Sequence, residues 1–145
     1  MSFPIPGKSE KFGFVIKGFG SHSGRTIMSA DMKLLLESCS PEVEKDEYAQ
    51  AVLVNNVLLK NTGAARKEAY SRLSRLYGLD NSTLLFRVFR EFWEQDKESQ
   101  SLILILYAIA RDPILRVSVD LILNSVAGYQ LVATDFEKEV VDTYG

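Results

Sequence analysis

From Thr26 onward apolar side chains recur with a period near 3.6, and the pattern is broken only by helix caps, prolines and stopping glycines. Such a pattern leaves room for little except α-helices joined by short loops, so the fold class it predicts is all-α, a compact bundle of six or seven helices. The spacing places helix one over Thr26 to Ser38, with Ile27, Leu34 and Leu35 on one stripe. Ser40-Pro41-Glu42 reads as a capping hydroxyl, a proline at the first helical position and an acid facing the dipole. Helix two then runs to Lys60-Asn61, with Tyr48, Val52 and Leu59 along one face. Thr62 caps helix three, whose stripe is Ala65, Ala69, Leu73, Leu76 and Tyr77, and Gly78 stops it. Asp80-Asn81-Ser82 opens helix four, Ser99 helix five, and Asp112-Pro113 helix six through Asn124. Thr134 and Glu137 have the spacing of a capping box and predict a seventh helix.

Residues 1–25 read differently. Phe12 to Gly20 carries apolar residues on both parities with three glycines between them, a short strand or an extended arm lying over the helices. The expected organisation is therefore a basic arm and Gly-rich loop (1–25) and one helical unit (26–145). At 145 residues, 46% hydrophobic and 25% charged, the chain has the material for one ordinary core. A lone cysteine, Cys39, excludes an intrachain disulfide, and with a lone histidine, His22, a structural zinc site is not expected. Met1 to Gly7 has two prolines where an export signal needs an apolar core. The longest apolar run, Leu102 to Ala110, rises only about 14 Å as a helix, half a bilayer core, and is read as a buried helix. A cytoplasmic protein without a membrane partner is the expectation.

No catalytic constellation emerges, and a non-enzymatic protein without cofactor is expected. The loop Gly18-Phe19-Gly20-Ser21-His22-Ser23-Gly24-Arg25-Thr26 has three residues between Gly20 and Gly24 where a phosphate-binding P-loop needs four, with arginine in the lysine position. A dinucleotide fingerprint fails on the same spacing. The loop reads as a turn into helix one, with anion binding as the alternative. His22 reads as solvated, and Cys39 has no activating neighbour. The acids Glu42, Glu44, Asp46 and Glu47, and later Glu91, Glu94, Asp96 and Glu98, lie among lysines in helix-end turns and read as solvated faces. The aromatic residues of helix four fall at core spacing, with Phe86 and Trp93 expected outside the core stripe and available to a partner.

Charge is the more informative signal. The whole chain carries −2, yet the segment from Lys60 to Arg90 holds seven basic residues against two acids, +5. Residues 31–47 sum to −4, and 91–98 and 135–145 to −3 each. One positive region on an otherwise acidic molecule points to a polyanion. On a helical wheel Lys67, Ser71 and Arg75 line up opposite the apolar stripe of helix three, a row able to follow phosphates. Arg72 sits at its edge, and Arg66 flanks the helix start. Intrahelical pairing is the competing reading: Glu68 with Arg72, Arg87 with Glu91 and Arg90 with Glu94 are i,i+4 partners.

The segment Asn55-Asn56-Val57-Leu58-Leu59-Lys60-Asn61-Thr62-Gly63-Ala64-Ala65-Arg66-Lys67 leads into the basic helix ending Arg72-Leu73-Ser74-Arg75-Leu76-Tyr77-Gly78-Leu79. With Ser23-Gly24-Arg25-Thr26-Ile27-Met28 upstream and Leu104 to Arg116 downstream, it resembles the BrxA family of BREX bacteriophage-exclusion systems over roughly residues 18–140. The resemblance implies a NusB-like helical fold and a non-enzymatic DNA-binding accessory role in phage defence. It also implies nucleic-acid contacts at Arg25, Lys60, Arg66, Lys67, Arg72 and Arg75, and other defence proteins as partners. Members of that family continue into a further C-terminal helical region beyond the point matching Thr134 to Glu137. A helical protein–protein adaptor and a NusB-like RNA-binding factor are the alternatives, and homo-oligomerisation is open.

Overall fold

A computed structural model of the chain describes residues 7–18 and 27–145. Among them are a 3₁₀ turn, Glu10–Phe12, and seven α-helices: α1 (Ser29–Ser38), α2 (Lys45–Leu53), α3 (Gly63–Tyr77), α4 (Leu84–Gln95), α5 (Gln100–Arg111), α6 (Pro113–Asn124) and α7 (Ala133–Tyr144). No strand occurs among the described residues. The all-α expectation holds. Packing neighbours follow the chain closely: α1 on α2, α2 on α3, α4 on α5, α5 on α6 and α6 on α7, while α3 against α5 closes the bundle across a longer stretch of chain.

Where a cap residue is well placed, the helix forms as expected. The Thr62 hydroxyl accepts from the Ala65 amide at 3.1 Å, and Gly78 ends α3 at φ +74°. The Asp112 carboxylate accepts from both Ile114 and Leu115 amides, at 2.9 and 3.0 Å, with Pro113 at the first helical position. Asp112 is buried, so water cannot replace it. Asp112→Ala is expected to cost about 1–2 kcal/mol, read as a lower urea midpoint at unchanged slope.

Three local expectations are corrected. Helix two begins at Lys45, where the Glu47 carboxylate reaches back to accept from the Glu44 amide at 3.2 Å, and the start falls there instead of at Ser40-Pro41. The last helix begins at Ala133, where the Asp135 carboxylate reaches back to the Val132 amide at 2.9 Å; Thr134 lies inside the helix and Glu137 takes no part. In α1 the core face is Met32, Leu35 and Leu36; of the expected stripe Leu35 lies in it, while Ile27 and Leu34 pack half-buried against its edge.

The core joins α1 to α5. Phe89 stacks on Tyr107 with centroids 4.3 Å apart, and Phe86 and Trp93 pack beside them. The expectation that Phe86 and Trp93 lie outside the core is wrong: Trp93 is 2% exposed and Phe86 fully buried, while Val88 and Phe92 face out.

Residues 13–18 form no strand and lie against the ends of α5 and α6, while Phe19 and Gly20 fall outside the described residues. The Val15 amide donates to the Ala110 carbonyl at 3.3 Å, Arg116 donates to the Val15 carbonyl at 2.5 Å and Arg111 to the Gly13 carbonyl at 3.2 Å. Gly13 allows this path: its φ is +106°, and a Cβ there would stand 3.1 Å from the Thr83 side chain.

The buried tyrosines give the fold a one-sided response to alkali. Burial pushes the Tyr48 hydroxyl up to about 12, with Arg90 opposing, and raises Tyr77 and Tyr107 as well. The native state therefore holds protons that the unfolded chain releases from about pH 10, so this contribution is intact below pH 10. Stability is expected to fall steadily from about pH 10 to about pH 12, checked by urea midpoints across that range.

Candidate nucleic-acid interface

The segment leading into α3 is built by its own side chains. The Asn56 carboxamide accepts from the Lys60 amide at 2.9 Å and donates to the Lys60 carbonyl at 3.0 Å, closing a tight loop. Leu58 drops from that loop into the core. Lys60 Nζ then lies 2.8 and 3.0 Å from the two carboxylate oxygens of Asp31 on α1. Thr62 caps α3, and Arg66 turns back to donate to the Leu53 carbonyl at the end of α2, at 3.1 Å. The whole approach to the basic helix is thus fastened to α1 and α2.

This geometry sorts the six residues proposed from sequence. Lys60 is half-buried and ion-paired to Asp31, and Arg66 braces a helix end. Arg72 pairs with Glu68 one turn earlier on the same helix. Lys67 and Arg75 are exposed and form no ion pair among the described residues. They share the outer face of α3 with exposed Ser71, opposite buried Ala69, Leu73, Leu76 and Tyr77. Eight residues separate Lys67 from Arg75, about 12 Å along the axis. Arg25, with His22 and most of the Gly-rich loop, lies outside the described residues.

Elsewhere in the molecule the arginines serve the fold. Arg87 donates to the Asn81 and Ser82 carbonyls ahead of α4 and, among the described residues, makes no ion pair with Glu91. Arg90 is buried, bonded to carbonyls of α1 and 3.4 Å from Glu94. Arg111 and Arg116, which sequence reasoning does not single out, hold the arm and the ends of α3 and α5.

Burial raises the Cys39 thiol above its ordinary value, with Arg90 partly opposing, so it is no activated nucleophile. No group of three or more metal-ligating side chains occurs among the described residues, and no helix there is long and apolar enough to cross a membrane.

Comparison of the chain with protein-family models, with curated proteins and with solved structures returns no match.

Proposed function

We propose that this chain is a DNA-binding accessory protein without bond chemistry of its own, in the phage-defence role that its resemblance to the BrxA family implies. One observation carries the reading. The polar and apolar side chains that lead into α3 are used inside the fold, where Asn56 closes a loop, Leu58 fills the core, Lys60 pairs and Thr62 caps. Lys67 serves no such purpose, and it opens an exposed row that Ser71 and Arg75 continue. Two uncompensated cations and a hydroxyl, at one-turn intervals on one helix face, suit the regular phosphates of a nucleic-acid strand. Contacts of this kind give affinity and orientation without reading bases, and the acidic segments elsewhere keep a polyanion to this face.

The charge-reversal variant K67E/R75E is the direct test. It is expected to weaken binding to a duplex on the order of 100-fold, with helix content and melting unchanged, because both side chains are exposed. Arg66→Glu, by contrast, is expected to lower stability through its lost bond to Leu53. Unaltered duplex affinity in K67E/R75E removes α3 as the nucleic-acid surface. Preferential competition by single-stranded RNA turns the reading to an RNA-binding factor.

A second reading, the protein–protein adaptor, is favoured by the tip of the α6–α7 hairpin. From Leu121 to Thr134 no side chain is charged, and Ile122, Leu123, Val126, Tyr129 and Val132 are exposed. An interface there would hold at high salt, where phosphate contacts fail.

A further inference from the structure

Helix α5 has an apolar inner face and an apolar outer face. Gln100, Leu104, Tyr107 and Ala108 pack inward, yet outward it presents Leu102 (58% exposed), Ile105 and Leu106 (57%) with no charged residue between Gln100 and Arg111. A helix that is apolar all round is found buried. Beside it α4 turns out Leu84, Val88 and Phe92 (55% exposed), and between the two helices runs an open groove of about 420 Å³. Its walls are apolar throughout, among them Leu85, Val88, Phe92, Ile103 and Leu106, over a floor of Phe89 and Tyr107. Among the described residues, no charged side chain lines it.

From this face we infer that the chain forms a two-fold homodimer, in which the outer ridge of α5, Leu102 and Ile105, seats in the α4–α5 groove of a second copy. Two features select a second copy as the occupant. Ridge and groove lie side by side on one face, so a two-fold axis between them places each ridge in the other's groove, the self-complementarity a closed dimer requires. The groove itself is also uncharged, so a molecule of net charge −2 seats the ridge of its own copy there without like charges in contact, and the exposed Arg87 and Glu91 of α4 fall at the rim. The area agrees. Leu84, Val88, Phe92, Leu102, Ile105 and Leu106 together expose apolar surface on the order of 500 Å². At the roughly 65% apolar share of homodimer interfaces, that corresponds to about 800 Å² per partner, the size of a standard stable interface. The inference does not depend on DNA binding, since the row on α3 and the α4–α5 face involve different residues.

Sedimentation equilibrium of the chain without nucleic acid tests it, alongside L102E/L106E and, separately, Phe92→Lys. All three positions are exposed, so far-UV circular dichroism should match the parent. The expected result is a species of twice the 16.3 kDa chain mass, with dissociation constants raised at least about tenfold by either variant. K67E/R75E should leave the dimer intact. A parent chain that stays monomeric at concentrations of about 100 μM overturns the inference. A dimer that neither variant weakens also overturns it, by placing the interface elsewhere.

Discussion

Replacing Arg90 by alanine is expected to lower the unfolding free energy by about 3–5 kcal/mol, the largest single effect in the molecule. The guanidinium is 1% exposed and donates to the Leu36 carbonyl at 3.2 Å and the Cys39 carbonyl at 2.8 Å. Those carbonyls close α1, where the last turn of a helix has no partners of its own and carries the negative end of its dipole. Glu94, 3.4 Å away on the outer side, keeps the cation paired. Removing the side chain takes the donor from two helix-end acceptors and opens a void beside the surface pocket that Glu42, Arg87 and Glu94 line. The loss should register as a lower urea midpoint, with early exchange of α1 amides. A loss below about 1 kcal/mol contradicts this assignment. Arg90→Lys should lose less, since an ammonium keeps the charge but cannot span both carbonyls.

Phe89→Ala should follow, at about 3–4 kcal/mol. Its ring lies nearly parallel to Tyr107, 12° between planes, and within 6.0 Å of Phe86 and 5.6 Å of Trp93. Tyr107 cannot easily follow into the void, because its hydroxyl donates to the Tyr77 carbonyl at 2.6 Å and ties α5 to the end of α3. Truncation therefore leaves a cavity at the junction of α3, α4 and α5. Thermal unfolding should occur about 10 °C lower, taking about 3 °C per kcal/mol for a domain of this length. Phe89→Leu, which keeps most of the volume, should cost less than about 1.5 kcal/mol.

How far the sequence can be read depends on where each cation goes. Helix α3 is legible because Thr62, the spacing of Ala69, Leu73 and Leu76, and Gly78 all give the same answer, and its outer row follows from the same wheel. Helix α4 misleads for a definite reason. It carries two parallel series one position apart, Leu85-Val88-Phe92 and Phe86-Phe89-Trp93, and Arg90 falls on the second. A charge on that face marks it as the wet one. The structure buries the arginine against helix-end carbonyls, a solution visible only once α1 is in place. Lys60 tells the same story. Its partner Asp31 is 29 residues away, and no local pattern announces a contact of that length. Local signals of capping and period survive in the sequence, whereas long-range partners that convert a surface charge into a structural one do not. Of the basic segment, Lys67 and Arg75 are the residues for which wheel and structure agree.

That agreement is tested most directly by the salt dependence of DNA binding. Fluorescence anisotropy of a labelled duplex, titrated with the unaltered chain from about 50 to about 200 mM salt, should show affinity falling roughly tenfold or more. The slope of log affinity against log salt should be about −2 or steeper, because each neutralised phosphate contributes about 0.9. In K67E/R75E the slope should shrink by about 2 along with the affinity. Absence of binding at the lowest salt, or binding that does not change across the series, would contradict a phosphate-contacting role for α3.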